Sequence, residues 1–468
     1  MKRVFFITAL LALAGAAVAQ THVLAEAQLP DKATKMIVRD YLSPATVSYI
    51  ATASQNFFAY ADAGNLMYCM PLDSRYDVCD MKILDGNVYF CGQNTLSAQA
   101  FLGWFNVMDI LNSVDGFHIY NNFVYTGATP APPTTRIVEH FDQLEVYQKN
   151  DNLHIALVGK TDAPLACFAE VVGNTTSATW SYTTACPTYS PYTETATNIV
   201  QNDNYFISGG MLFNNHEAVS MRFFKKDSMF TSGIENTAYR YTDDTGPTAI
   251  HYPRTGFAMA VTDEDLVATA SFWSHPGAFD PTFYNNYYEG VLVNVYKISS
   301  TLTASSIGSS IPITAYSITS SYAQPIASTS IGRMTYSAAN SSLLLQSRLH
   351  TPYGQQGMIS EVPVPTTTTI PNTYLQDYDI WDIDNTFATN RYVGIGVKKG
   401  VSDKMVYYSQ RANDTPLCAD TFSAPVSNSD FDCKAVYWPL RPDTHTFSFM
   451  STGIPTLFHI PITIKCQH

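Results

Sequence analysis

Beyond residue 19 the chain has no apolar run of the roughly 18 or more residues that a membrane-crossing helix needs. Charged side chains are scarce as well. They make up 14% of a 468-residue sequence, and 39 Asp and Glu stand against 26 Lys and Arg. The net charge of -13 offers nothing to offset phosphate repulsion, which argues against nucleic acid and anionic membrane surfaces as partners. None of the eight cysteines stands in a Cys-x-x-Cys pair, so no zinc site is indicated. A G-x-S-x-G elbow, an H-E-x-x-H helix, a phosphate-binding loop and a dinucleotide fingerprint are also missing. No motif therefore assigns an enzyme class.

What is present begins with Lys2 and Arg3, an apolar run from Val4 to Val18, and Ala17-Val18-Ala19 ahead of Gln20. That order of charge, apolar core and small residues is the order of a cleavable signal peptide. The expectation is a signal peptide over residues 1–19 and one exported domain over residues 20–468, in the cell envelope or extracellular space, with no transmembrane anchor. An even number of cysteines in an oxidising compartment predicts disulfides. Cys167 with Cys186 and Cys418 with Cys433 are the local pairs; Cys69, Cys79, Cys91 and Cys466 leave three connectivities open.

Abundant Tyr (30), Phe (26) and Pro (25), with many Thr and Ser, favour short half-buried strands joined by turns. The fold class is all-β. One unit recurs along the chain: an apolar strand, a turn rich in Asp, Asn and Gly, a second apolar strand often ending in Gly, then a third strand. VCDMKILDGNVYFCG from Val78 is the clearest copy, and Asp85-Gly86 supplies the positive φ of a tight hairpin. VDGFHIYNNFVYTG from Val114 repeats the form with Asn121-Asn122 at its turn, and LEVYQKNDNLHIALVG from Leu144 repeats it again. A single such sheet cannot bury both its faces, whereas neighbours packed around an axis bury them all. The expectation is a β-propeller of about seven blades, within a range of six to eight. A strand from one terminus should complete a blade begun at the other, and PTLFHIPITIKC from Pro455 is the candidate for that closing strand.

Three stretches carry side chains suited to chemistry or recognition. Ser271 to Gly290 interrupts a strand pair with Trp273, His275, Phe279, Tyr284, Tyr287 and Tyr288. Aromatic faces on a loop stack on sugar rings or peptides, and this is the leading ligand-binding candidate. Asp377, Asp379, Asp382 and Asp384 have the oxygen chemistry to ligate calcium. Ile380, Trp381 and Ile383 among them instead fit a strand edge, so no resident cofactor is expected. TDDTGPTA, from Thr242 to Ala249, fits most of the Asp-box of sialidase-type propellers but ends on Ala where an aromatic belongs.

The stretch from Val78 to Gly92 followed by FLGWFNV, together with the leader ending before Gln20, resembles secreted β-propeller-like proteins of gut Bacteroidales. That resemblance implies an extracellular or envelope location and a propeller fold, and brings no catalytic residues. The expected function is a non-catalytic propeller binding a glycan, peptide or protein partner. The alternative is a propeller glycoside hydrolase of sialidase type or a polysaccharide lyase, which would need two carboxyl groups facing one bond.

Overall fold

The computed structural model describes 34 strands. It also describes the turn residues 72–75, 85–86, 95–98, 107, 116–117, 122–123, 162, 196–197, 202–204, 226, 262, 341 and 364. After β1 (Ala25–Gln28), the first sheet comprises β2 (Ala33–Tyr41), β3 (Ala45–Thr52), β4 (Asn56–Ala61) and β5 (Leu66–Pro71). The second holds β6 (Tyr76–Leu84), β7 (Asn87–Asn94), β8 (Gln99–Asn106) and β9 (His118–Asn121). The third holds β10 (Val124–Thr126), β11 (Thr135–Lys149), β12 (Asn152–Thr161), β13 (Ala166–Asn174) and β14 (Thr179–Ala185). The fourth has β15 (Thr193–Glu194), β16 (Asn198–Gln201), β17 (Tyr205–Asn214), β18 (His216–Lys225) and β19 (Tyr239–Tyr241).

The fifth sheet consists of β20 (Phe257–Val261), β21 (Leu266–Trp273), β22 (Gly290–Ile298), β23 (Ala304–Ser306) and β24 (Ile311–Thr314). The sixth is β25 (Ser330–Ser337), β26 (Ser342–Thr351) and β27 (Gly354–Pro363). The seventh is β28 (Tyr378–Thr386), β29 (Arg391–Lys398), β30 (Lys404–Gln410) and β31 (Ala419–Ser423). The eighth joins β32 (Phe431–Tyr437), β33 (Thr444–Ser451) and β34 (Ile454–Thr463) to the N-terminal β1.

The sheets form a closed ring. Contacts between inner strands run from β2 to β6, β11, β16, β20, β25, β28 and β32, and from β32 back to β2. This is a β-propeller. The described strands fall into eight antiparallel sheets, at the upper end of the range the repeats suggested. Closure comes from β1, which pairs antiparallel with β34 as the outer strand of the last sheet, Ala27 facing Leu457. The C-terminal strand thus serves as the partner of the closing strand.

Burial explains why the ring is needed. Along β7, Val88 and Phe90 pack into one apolar cluster with Val78 and Phe101, while Tyr89 and Cys91 face the next sheet's Leu144, Ile155 and Leu157. Further round, Leu153, Ile155 and Leu157 of β12 face back, while Ala156 and Val158 face forward to Phe206 and Phe224. Residues of period two therefore go to opposite faces, and both faces are dry. The apolar stretches of β7 and β12 read as continuous runs for that reason.

Turn chemistry agrees at one site and differs at another. Asp85 and Gly86 have φ of 47° and 77°, the two positive values of a type I′ hairpin between β6 and β7. Asn122 also has positive φ (76°), but it does not close the hairpin expected over 114–127. β9 pairs with β8 while β10 pairs with β11, so Asn122 carries the chain from one sheet into the next. The reason is burial: Phe123 is wholly enclosed and packs edge-on to Phe141 of the following sheet, centroids 4.9 Å apart. After β22, the short strands β23 and β24 both pair antiparallel with it. Among the described residues no helix is long and apolar enough to cross a membrane.

Candidate functional site

The inner strands carry a recurring β-bulge. In β6 the register shifts between Val78 and Asp80, in β11 between Phe141 and Gln143, and in β28 between Ile380 and Asp382. The residue paired just before each bulge faces a glycine on the second strand: Gly92, Gly159 and Gly396 respectively. A Cβ on Gly92 would overlap the Asp77 carbonyl, and one on Gly159 would overlap the His140 carbonyl. The glycine that ends the second strand of the sequence repeat is therefore where the bulged backbone comes too close for a side chain.

The bulge re-aims the polar residue that follows it. Asp80 Oδ2 accepts the Leu144 N–H of the next sheet at 3.2 Å, and Gln143 Oε1 accepts the Ile199 N–H of the sheet after that at 3.0 Å. Asp382 instead reaches back, its Oδ2 lying 3.3 Å from Arg333 of the preceding sheet. Asp382 Oδ1 accepts its own following amide, Ile383 N–H, at 2.9 Å.

Two positions on, the inner strands build a charged chain across three sheets. Lys82 Nζ donates to Glu145 Oε1 at 2.8 Å, and Gln201 Nε2 donates to Glu145 Oε2 at 2.8 Å and to the Val146 carbonyl at 3.0 Å. Burial works against the Lys82 ammonium, but the carboxylates of Glu145 and Asp80 outweigh it and hold its pKa above the ordinary lysine value. Arg333 opposes that rise. Its sheet is the fourth on from that of Lys82 around the ring. Arg333 is held in turn by Asp382 and by Asp384, 3.4 Å away. Asp379, Asp382 and Asp384 of the acidic run thus lie in β28, where the last two hold an arginine, while Asp377 lies outside the described residues. Among the described residues no group of His, Cys, Asp or Glu is arranged to hold a metal ion.

The aromatic segment is placed by its ends. Trp273 pairs with Gly290, the last register pair of β21 and β22, so residues 274–289 connect the second and third strands of the fifth sheet. The equivalent connections are short in other sheets: residues 95–98, 162–165 and 352–353. His275, Phe279, Tyr284, Tyr287, Tyr288 and the side chain of Trp273 lie outside the described residues, as does the Thr242 to Ala249 motif. Cys167 is fully buried, with its thiol 3.9 Å from the Phe168 carbonyl. Its expected partner Cys186, and the side chains of Cys418 and Cys433, lie outside the described residues.

No family model matches the chain, and no curated protein matches it in sequence. Solved structures are similar in fold. The propeller of Dos1 shares 11% identity with a TM-score of 0.49, covering 95% of this chain and 96% of that one. The WD40 domain of SCAP from fission yeast shares 7% identity, TM-score 0.48, over 94% and 97%. The polysaccharide lyase Uly1 shares 8% identity, TM-score 0.45, over 93% and 90%. Likeness at this level is one of overall form.

Proposed function

We propose that the chain is an exported, non-catalytic β-propeller that binds a glycan, peptide or protein partner through the connection between β21 and β22. Trp273, His275, Phe279, Tyr284, Tyr287 and Tyr288 supply the contact surface, at the end of the ring where second and third strands are joined. The observation that carries this reading is the state of the inner-strand carboxylates among the described residues. Asp80, Glu145, Asp382 and Asp384 are all engaged by a backbone N–H, a lysine, a glutamine amide or an arginine. Carboxylates held in structural contacts of this kind support a binding role over the facing acid and base, roughly 5–9.5 Å apart, of a glycoside hydrolase.

The test is a glycan and peptide array probed with the mature chain beside a panel of chromogenic glycosides. Binding without turnover, weakened at least about tenfold in Tyr287→Ala/Tyr288→Ala, is expected. Turnover that disappears in Asp384→Asn would show that the inner wall is an active site and the reading is wrong.

A further inference from the structure

The β6 bulge leaves Cys79 without a facing residue on β7 and turns it toward β11 of the next sheet. Its Sγ lies 3.6 Å from His140 Nε2, and the same nitrogen lies 3.0 Å from Asp142 Oδ1. Cys79 is half-buried and carries no disulfide, so solvent reaches it, whereas Cys91 and Cys167 are enclosed. Hydrogen bonding to Asp142, then to Cys79, raises the pKa of His140 to about 10, so the ring is an imidazolium at neutral pH. A hydrolytic triad would place the acid on one ring nitrogen and the nucleophile on the other. Here both converge on Nε2, which makes the cluster an ion-pair site for sulfur.

We propose that Cys79 is a reactive thiol and a site of S-thiolation by low-molecular-weight disulfides, with the His140 ring set against the attacking sulfur and Asp142 fixing the ring. The thiolate of Cys79 attacks one sulfur of RS–SR. A Cys79–S–S–R bond forms, the original S–S bond breaks, and the departing RS⁻ takes up the proton that Cys79 released. Cys79 is oxidised to the mixed disulfide, and one half of the disulfide is reduced to thiol. Such attack depends on thiolate content, which a neighbouring imidazolium raises.

The experiment treats the folded full chain with oxidised glutathione at about pH 7 and maps adducts by mass spectrometry, then compares iodoacetamide alkylation of Cys79 with that of free cysteine at the same pH. The expected result is an adduct on Cys79 with Cys91 and Cys167 unmodified, and a Cys79 alkylation rate at least about tenfold above that of free cysteine. His140→Asn should slow Cys79 by at least about tenfold. The wild-type adduct map and rate stand whether or not that variant folds. No adduct on Cys79, or a Cys79 rate no faster than that of free cysteine, overturns the proposal.

Discussion

Lys82 and Glu145 meet at 2.8 Å across the seam between the second and third sheets, and Glu145 holds Gln201 of the fourth with its other oxygen. One carboxylate thereby links three successive sheets. Glu145→Ala removes the acceptor for both donors in a largely enclosed place, and should cost about 2–3 kcal/mol. Lys82 is more exposed, so the pairwise coupling in a Lys82→Met/Glu145→Gln cycle should be about 1 kcal/mol. Because the folded pKa of Lys82 is raised, its contribution is complete below the ordinary lysine value and declines only as pH climbs above it. Urea denaturation of the wild type, Glu145→Ala and the three variants of the cycle gives both quantities.

Asp80 separates acceptor from charge. Asp80→Ala leaves the Leu144 N–H without its partner inside the ring and should lose about 1–3 kcal/mol. Asp80→Asn keeps an acceptor oxygen and should lose less than half of that. Equal losses in the two variants would mean that the negative charge beside Lys82, and not the inter-sheet hydrogen bond, is what matters there.

His140 should make the protein lose stability with rising pH. Its folded pKa of about 10 lies above the ordinary histidine value of 6.5, so the stabilisation is present in full below pH 6.5 and is lost as pH climbs toward 10. Asp142 is about a third exposed, at 34%, and solvent screening holds the loss to the order of 2 kcal/mol. Chemical denaturation at pH 6 and pH 9 should show this loss in the wild type and little of it in His140→Gln.

Gly92→Ala should be far more damaging than a glycine-to-alanine change in an ordinary strand. The added methyl meets the Asp77 carbonyl, and the bulge must flatten or the strands must part. A loss of about 3 kcal/mol or more, or failure to fold, is expected from the thermal melt. A melt within a degree of wild type would mean that the bulge adjusts freely.

Much of this was legible in the chain. Asp85-Gly86 announced its hairpin because positive φ at both turn positions leaves few residue choices, and the apolar residues Val88 to Cys91 announced the strand after it. The glycine that follows it, Gly92, was visible as a repeat feature, but its cause was not, since the bulge it accommodates is a matter of register with β6. The charges were hidden for the same reason. Asp382 and Asp384 look like a free acidic edge until Arg333, on another sheet, is brought against them, and Cys79 finds His140 only when two bulges face each other. Asn121-Asn122 misled because an Asn with positive φ serves a crossing between sheets as well as a hairpin.

The closed ring rests on β1 completing the sheet of β32, β33 and β34, and cross-linking that joint tests it directly. Ala27 and Leu457 are register partners, and facing residues on antiparallel strands fall within disulfide reach. In Ala27→Cys/Leu457→Cys, mild oxidation followed by peptide mapping should yield an intramolecular link between positions 27 and 457 in monomeric protein, with a raised melting temperature. A link found only between chains, or no link in folded protein, would contradict the ring.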